Sequence, residues 1–114
     1  MKKDPKIALE VELIFKLIRE ISPGKAVELR VPFYGAIQCV EGVVHRRGTP
    51  PNHVEMSAEV LLQLAHSPDS WNNLVSQGRI QASGLASDLT QLFTQISHKY
   101  QAGILNILAP NTVD

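Results

Sequence analysis

The stretch Val27-Glu28-Leu29-Arg30-Val31-Pro32-Phe33-Tyr34-Gly35-Ala36-Ile37-Gln38-Cys39-Val40 decides the fold class. Val27, Leu29 and Val31 alternate with Glu28 and Arg30. Successive strand side chains point to opposite faces, so residues 26–31 read as a half-buried strand. Pro32 breaks the alternation. Tyr34 to Val40 reads as a second strand, more apolar than the first and therefore expected nearer the centre of the sheet. Gly35 weakens it at a place suited to a bulge or a close backbone approach. Two such runs across a short turn predict an antiparallel hairpin.

Before the hairpin, residues 6–21 carry Ile7, Val11, Ile14, Ile18 and Ile21 at steps of three and four, with Phe15 and Leu17 widening the stripe. That spacing places them on one face of a helix. Asp4 followed by Pro5 is a start signal, a capping carboxylate and then a residue whose missing N–H costs nothing at the first helical position. Ser22-Pro23-Gly24 ends the helix.

After the hairpin, His45-Arg46-Arg47-Gly48-Thr49-Pro50-Pro51-Asn52 is loop chemistry. A short strand over 54–56 follows, then a helix over 58–66 capped by Ser57. A second helical piece restarts at Ser67-Pro68, runs through Trp71, Leu74 and Val75, and stops at Gly78. Residues 79–83 read as a strand with Ile80 and Ala82 inward. Gly84 turns the chain, and Ser83 or Ser87 caps a helix over 88–98 built on Leu89, Leu92, Phe93 and Ile96. Ile104, Leu105, Ile107 and Leu108 are too apolar for a tail that floats in water, so they pack back, cover a cavity or meet a partner. This order predicts an α+β fold with helices on one face of a mixed, mainly antiparallel sheet.

The 114 residues fit one domain spanning 1–114, and that length can enclose a core without staples. Lys plus Arg, 11, equals Asp plus Glu, 11, so there is no basic excess of the kind a nucleic-acid binder shows. A lone cysteine, the absence of a signal-peptide pattern and the absence of an apolar run of about 20 residues predict a soluble cytoplasmic protein.

Candidates for chemistry are few. His45-Arg46-Arg47 can hold a carboxylate or phosphate through planar guanidinium groups, or it is simply a solvated loop. Cys39 can act as a nucleophile with His45 or His53 as base, but mid-strand in an apolar run a free cysteine behaves as a small buried hydrophobe. His45, His53, His66 and His98 fit no metal-ligand spacing, and Glu41, Glu55 and Glu59 form no carboxylate pair. Glycine-rich phosphate loops and nucleophile elbows are absent. The reading is non-catalytic, with no cofactor. Trp71 plugs the core or lines a cavity.

Three strings carry a resemblance: Val27 to Pro32; Ala36-Ile37-Gln38-Cys39-Val40-Glu41-Gly42; and His45 to Asn52 followed by Val54-Glu55. With Trp71, Ser76 to Gly84 and Ser87-Asp88-Leu89, they resemble a family of small actinobacterial sterol carrier proteins. Coverage runs from about Ala8 to Phe93, and Arg46 to Asn52 is its most specific piece. Gly78 to Gly84 also resembles the wider sterol carrier protein 2 class. Lys99 to Asp114 matches no pattern and is treated as a C-terminal extension.

The resemblance implies a sterol-carrier-like fold, a curved sheet of about five strands with an apolar tunnel under helices on one face. It also implies a lipid-like ligand. Most bacteria make no sterols, so a fatty-acyl or other amphipathic molecule is expected. Inward periodicity offers Ile37, Cys39, Val54, Met56, Leu61, Trp71, Leu74, Ile80, Leu92 and Phe93 as tunnel walls. His45, Arg46 and Arg47 would meet an anionic head group, and the tail would be a lid. The alternative is an interaction module with a filled core, in which the tail is an interface to a protein partner or a second copy.

Overall fold

A computed structural model describes residues 4–43 and 50–108, with backbone alone for 103–108. His45, Arg46 and Arg47, and the side chains of Ile104, Leu105, Ile107 and Leu108, lie outside the described residues.

Helix α1 spans Pro5–Ile21. The Asp4 carboxylate accepts the N–H of Lys6 at 2.8 Å and of Ile7 at 3.3 Å, satisfying donors that the first turn leaves free. Val11, Ile14, Phe15 and Ile18 are the buried stripe. The hairpin follows as β1 (Val27–Val31) and β2 (Gly35–Cys39), antiparallel from Val27↔Cys39 to Val31↔Gly35. β3 (Asn52–Met56) pairs parallel to β1, and β4 (Ile80–Ser83) pairs antiparallel to β3. Between β3 and β4 run α2 (Ala58–His66), a 3₁₀ turn (Pro68–Ser70) and α3 (Trp71–Ser76). α4 spans Thr90–Leu108.

The strand order is β2-β1-β3-β4, so β2 is an edge strand, not a central one. It buries Cys39 while Gly35, Ala36 and Gln38 are exposed. β1 is central because the chain returns after the loop to pair on its other side, an outcome that the composition of β2 does not encode. Four strands are present among the described residues, one fewer than the resemblance implied.

Val27, Leu29, Val31, Val54, Met56 and Ile80 point into one core with the helices, whereas Arg30, His53, Glu55 and Gln81 face solvent. Ala82 is exposed rather than inward, because it sits on an edge strand that buries Ile80 alone. Ser57 caps α2, its hydroxyl accepting the Val60 N–H at 3.2 Å. At α4 the acceptor is Asp88, which takes the Thr90 N–H at 2.9 Å; Ser87 instead donates its hydroxyl to the Gly84 carbonyl at 2.8 Å. α4 continues beyond His98 because Tyr100 is buried in the core.

Two backbone crossings fix the layout. Ala26 donates to the Val40 carbonyl at 2.9 Å and Val40 donates to the Ser22 carbonyl at 2.8 Å, tying the end of β2 to the α1–β1 link. Gly24, at φ +150, lies so close to the Val40 carbonyl that no Cβ would fit there. Val40 itself takes φ 68, unusual for a β-branched residue, and those two hydrogen bonds hold it there.

Candidate functional site

The two described grooves differ in chemistry. One, of about 490 Å³, lies on the solvent face of the sheet and is bordered by Glu28, Arg30, His53 and Glu55. Glu28 stands 3.2 Å from Arg30 Nη2 and 3.3 Å from His53 Nδ1. These groups are wet, and exposed pairs contribute little. The other groove, of about 620 Å³, opens where Val31 pairs with Gly35 and Met56 with Ile80. Its volume falls within the roughly 300–1,000 Å³ usual for small-molecule sites.

Four segments distant in sequence build the second groove, the last of them bringing Arg79 and Gln81 from the start of β4. The first turn of α1 brings Ile7, the β1–β2 turn brings Pro32, Phe33 and Tyr34, and the β3–α2 junction brings Met56 and Ala58. Polar residues share the lining: Asp4, Glu55, Glu59 and Arg79. Arg79 stands 3.9 Å from Glu59, a loose pair in which both side chains are largely exposed. Met56, 2 % exposed, joins the groove to the core. An unbranched thioether adapts to irregular neighbours.

The β1–β2 turn is unusual. The Tyr34 N–H donates to the Val31 carbonyl at 3.0 Å, and Phe33 has φ 72. With Pro32 second and a positive φ third, this is the pattern of a type II turn, whose third place glycine normally fills. A side chain there costs roughly 1–2 kcal/mol. Tyr34 Oη accepts the Asp4 N–H at 3.0 Å, which ties the turn to the start of α1.

Of the ten side chains offered as tunnel walls, nine are buried in the core cluster; Ile37 is partly buried against it. Trp71 packs on Phe93, ring centroids 6.2 Å apart. Met56 alone among the ten borders the apolar groove. Periodicity placed Ile7 on the apolar face of α1 without offering it as a wall, and it did not pick out Pro32, Phe33, Tyr34, Ala58 or Arg79, whose one visible signal was an aromatic pair directly after a proline that breaks the strand. Cys39 is fully buried, and that burial pushes its thiol up to about 11, so it is protonated at neutral pH. His53 projects from the opposite, solvent face of the sheet, out of reach as its base.

The loop 44–49 is attached at the other end of the sheet. Gly42 lies beside Ala26, where a Cβ on the glycine would crowd the alanine methyl, and Asn52 pairs with Val27. Those anchors stand about 13 Å, a strand length, from the groove.

No described cluster of His, Cys, Asp and Glu could hold a metal ion, and no described helix is long and apolar enough to cross a membrane. The arrangement as a whole is that of the sterol carrier protein 2 fold. A solved structure titled "UbiJ-SCP2 Ubiquinone synthesis protein" superposes with a TM-score of 0.52 at 14% identity, covering 89% of this chain and 97% of that one. Residues 3–94 match the model of the family described as bacterial SCP ortholog, and the chain belongs to that family. No curated protein matches it.

Proposed function

We propose that this protein binds a lipid-like, amphipathic small molecule in the groove over Met56 and carries out no chemistry on it. The groove itself supports this reading. It is a depression of about 620 Å³ whose apolar lining leads to the core, with Arg79 beside three carboxylates, Asp4, Glu55 and Glu59, at its edge. Membership of the bacterial SCP orthologs and likeness to a structure titled as a ubiquinone synthesis protein both fit an apolar ligand. Burying an acyl chain would gain roughly 0.8 kcal/mol per methylene, enough for useful affinity without a strong polar anchor. Arg79 is the basic side chain of the groove lining. His45, Arg46 and Arg47 are proposed as a separate, cationic contact for an anionic head group, on the loop anchored at the other end of the sheet from the groove.

Titration with a dansyl-labelled undecanoic acid tests the proposal. Saturable enhancement of dansyl emission, reversed by unlabelled dodecanoate, is expected. Absence of saturable binding, with native mass spectra free of co-purified lipid, would sink it. Arg46→Ala with Arg47→Ala is expected to weaken dodecanoate more than dodecanol, and equal effects would remove the head-group role of the loop.

The rival reading, an interaction module with a filled core, draws support from the burial of nine of the ten inward side chains. Under it the chain would associate with a partner or a second copy and ignore the probe.

A further inference from the structure

We propose that Phe33 is a ligand-contact residue whose ring closes over the apolar part of the molecule held in the groove. The inference rests on the groove being a binding site and adds a specific residue to it.

Neither the backbone nor packing accounts for a phenylalanine at this position. The turn requires a positive φ at its third residue, and Phe33 meets that requirement at φ 72. For a bulky side chain this is a true outlier, and such outliers cluster where a ligand is held. Burial does not compensate, because Phe33 is 60% exposed. A small residue would make the same turn with less strain and less wet apolar surface.

Other exposed apolar side chains lack this combination. Leu9, 73% exposed, lies on a regular helix, and Leu85 and Val75 have ordinary backbone angles. Scattered single hydrophobes of that sort are normal on a protein surface. Phe33 differs because a disfavoured backbone presents it beside an apolar groove that it helps to line.

The turn is also held firmly. The Val31 carbonyl closes it from one side, and the Tyr34 hydroxyl fastens it to Asp4 on the other. A ring carried on a fixed backbone needs only its two side-chain torsions to swing between solvent and an occupant, so the ordering cost on binding is small. The ring's missing contacts are supplied when an apolar chain or ring lies in the groove.

Two substitutions separate the ring from the strain. Phe33→Ala removes the ring and keeps a Cβ on the disfavoured backbone; Phe33→Gly removes both. Dansyl-undecanoic acid titrations and thermal melts are run on each. The expected result is a loss of about tenfold in probe affinity for both variants. Phe33→Gly should melt no lower than the wild type and above Phe33→Ala. Unchanged affinity in both variants would overturn the inference. So would retained probe affinity combined with lost association with phosphatidylcholine vesicles, since the ring would then serve a membrane surface. A wild-type protein that takes up no probe would overturn the groove reading, and Phe33's role with it.

Discussion

Gly84 passes over Asn52 so closely that no Cβ can be accommodated between them. Asn52 is a buried polar side chain, 5% exposed, and both ends of its amide are used. Nδ2 donates to the Ala26 carbonyl at 2.8 Å, and Oδ1 accepts the Ala86 N–H at 2.9 Å. One side chain therefore ties the entry of β1 to the link between β4 and α4, across segments that share no strand pairing.

Asn52→Ala is expected to cost about 2–4 kcal/mol, since it leaves a carbonyl and an N–H without their partner. Gly84→Ala is expected to be destabilising as well, from its φ of +106 and from contact with the amide. The two effects should be less than additive in urea melts, because removing the amide takes away the two nearest of the atoms that the new methyl meets, leaving the Asn52 Cα. Full additivity would contradict the packing described.

Tyr100 donates to Glu10 Oε1 at 3.1 Å and fastens α4 to α1. Tyr100→Phe should cost about 1 kcal/mol at neutral pH. Burial, then the hydrogen bond and the charge of Glu10, push the phenol up to about 12 from 10.0. The folded protein thus holds this proton more tightly than the unfolded chain. Its contribution is complete below about pH 10 and is lost as pH rises toward 12. Tyr100→Phe should lose less stability than the wild type across that window in alkaline denaturation series. Identical slopes would show that the phenol does not titrate as described.

Cys39, fully buried and protonated up to about pH 11, should resist iodoacetamide at neutral pH in the folded protein and react once urea unfolds it. Rapid modification of the native state, followed by mass spectrometry, would show that β2 opens readily at the sheet edge.

Met56→Ala should lower stability by about 2–5 kcal/mol and extend the groove into the core. Relative affinity should then shift toward longer acyl chains when a series of fatty acids competes with the dansyl probe. A uniform loss across the series would mean that Met56 is not the floor of the site.

The helices were legible because their signals are local. Asp4-Pro5 and Ser57 are capping residues whose effect needs no distant partner, and both caps form. The hairpin was legible for the same reason. The position of β2 was not, because strand order depends on which edge of β1 the returning chain occupies, and an apolar run reads alike at the edge and the centre of a sheet. Likewise, the sequence offered Ser83 or Ser87 as the cap of α4, whereas the carboxylate of Asp88 accepts the Thr90 N–H, since neighbouring serine and aspartate side chains can each fill that role.

The site was less legible than the fold. Period-two and helical spacing identify which side chains face inward, but not whether the space between them is filled. Leu61, Leu74 and Phe93 are buried in the core cluster. The described groove over Met56 forms where Ile7, Phe33 and Met56 converge from separate segments. The positive φ of Phe33 has no signature in its residue type, since the sequence there argues for glycine.

If an amphipathic ligand occupies the groove over Met56, a bulky side chain placed in that groove excludes it. Ile7 lines the groove, whereas Leu9, two residues along α1, is exposed and outside its lining. Ile7→Trp should fill the groove and reduce dansyl-undecanoic acid affinity about tenfold or more, while Leu9→Trp leaves it at the wild-type value. Equal affinity for the two variants, with both folded by circular dichroism, would mean that the groove over Met56 is not the binding site.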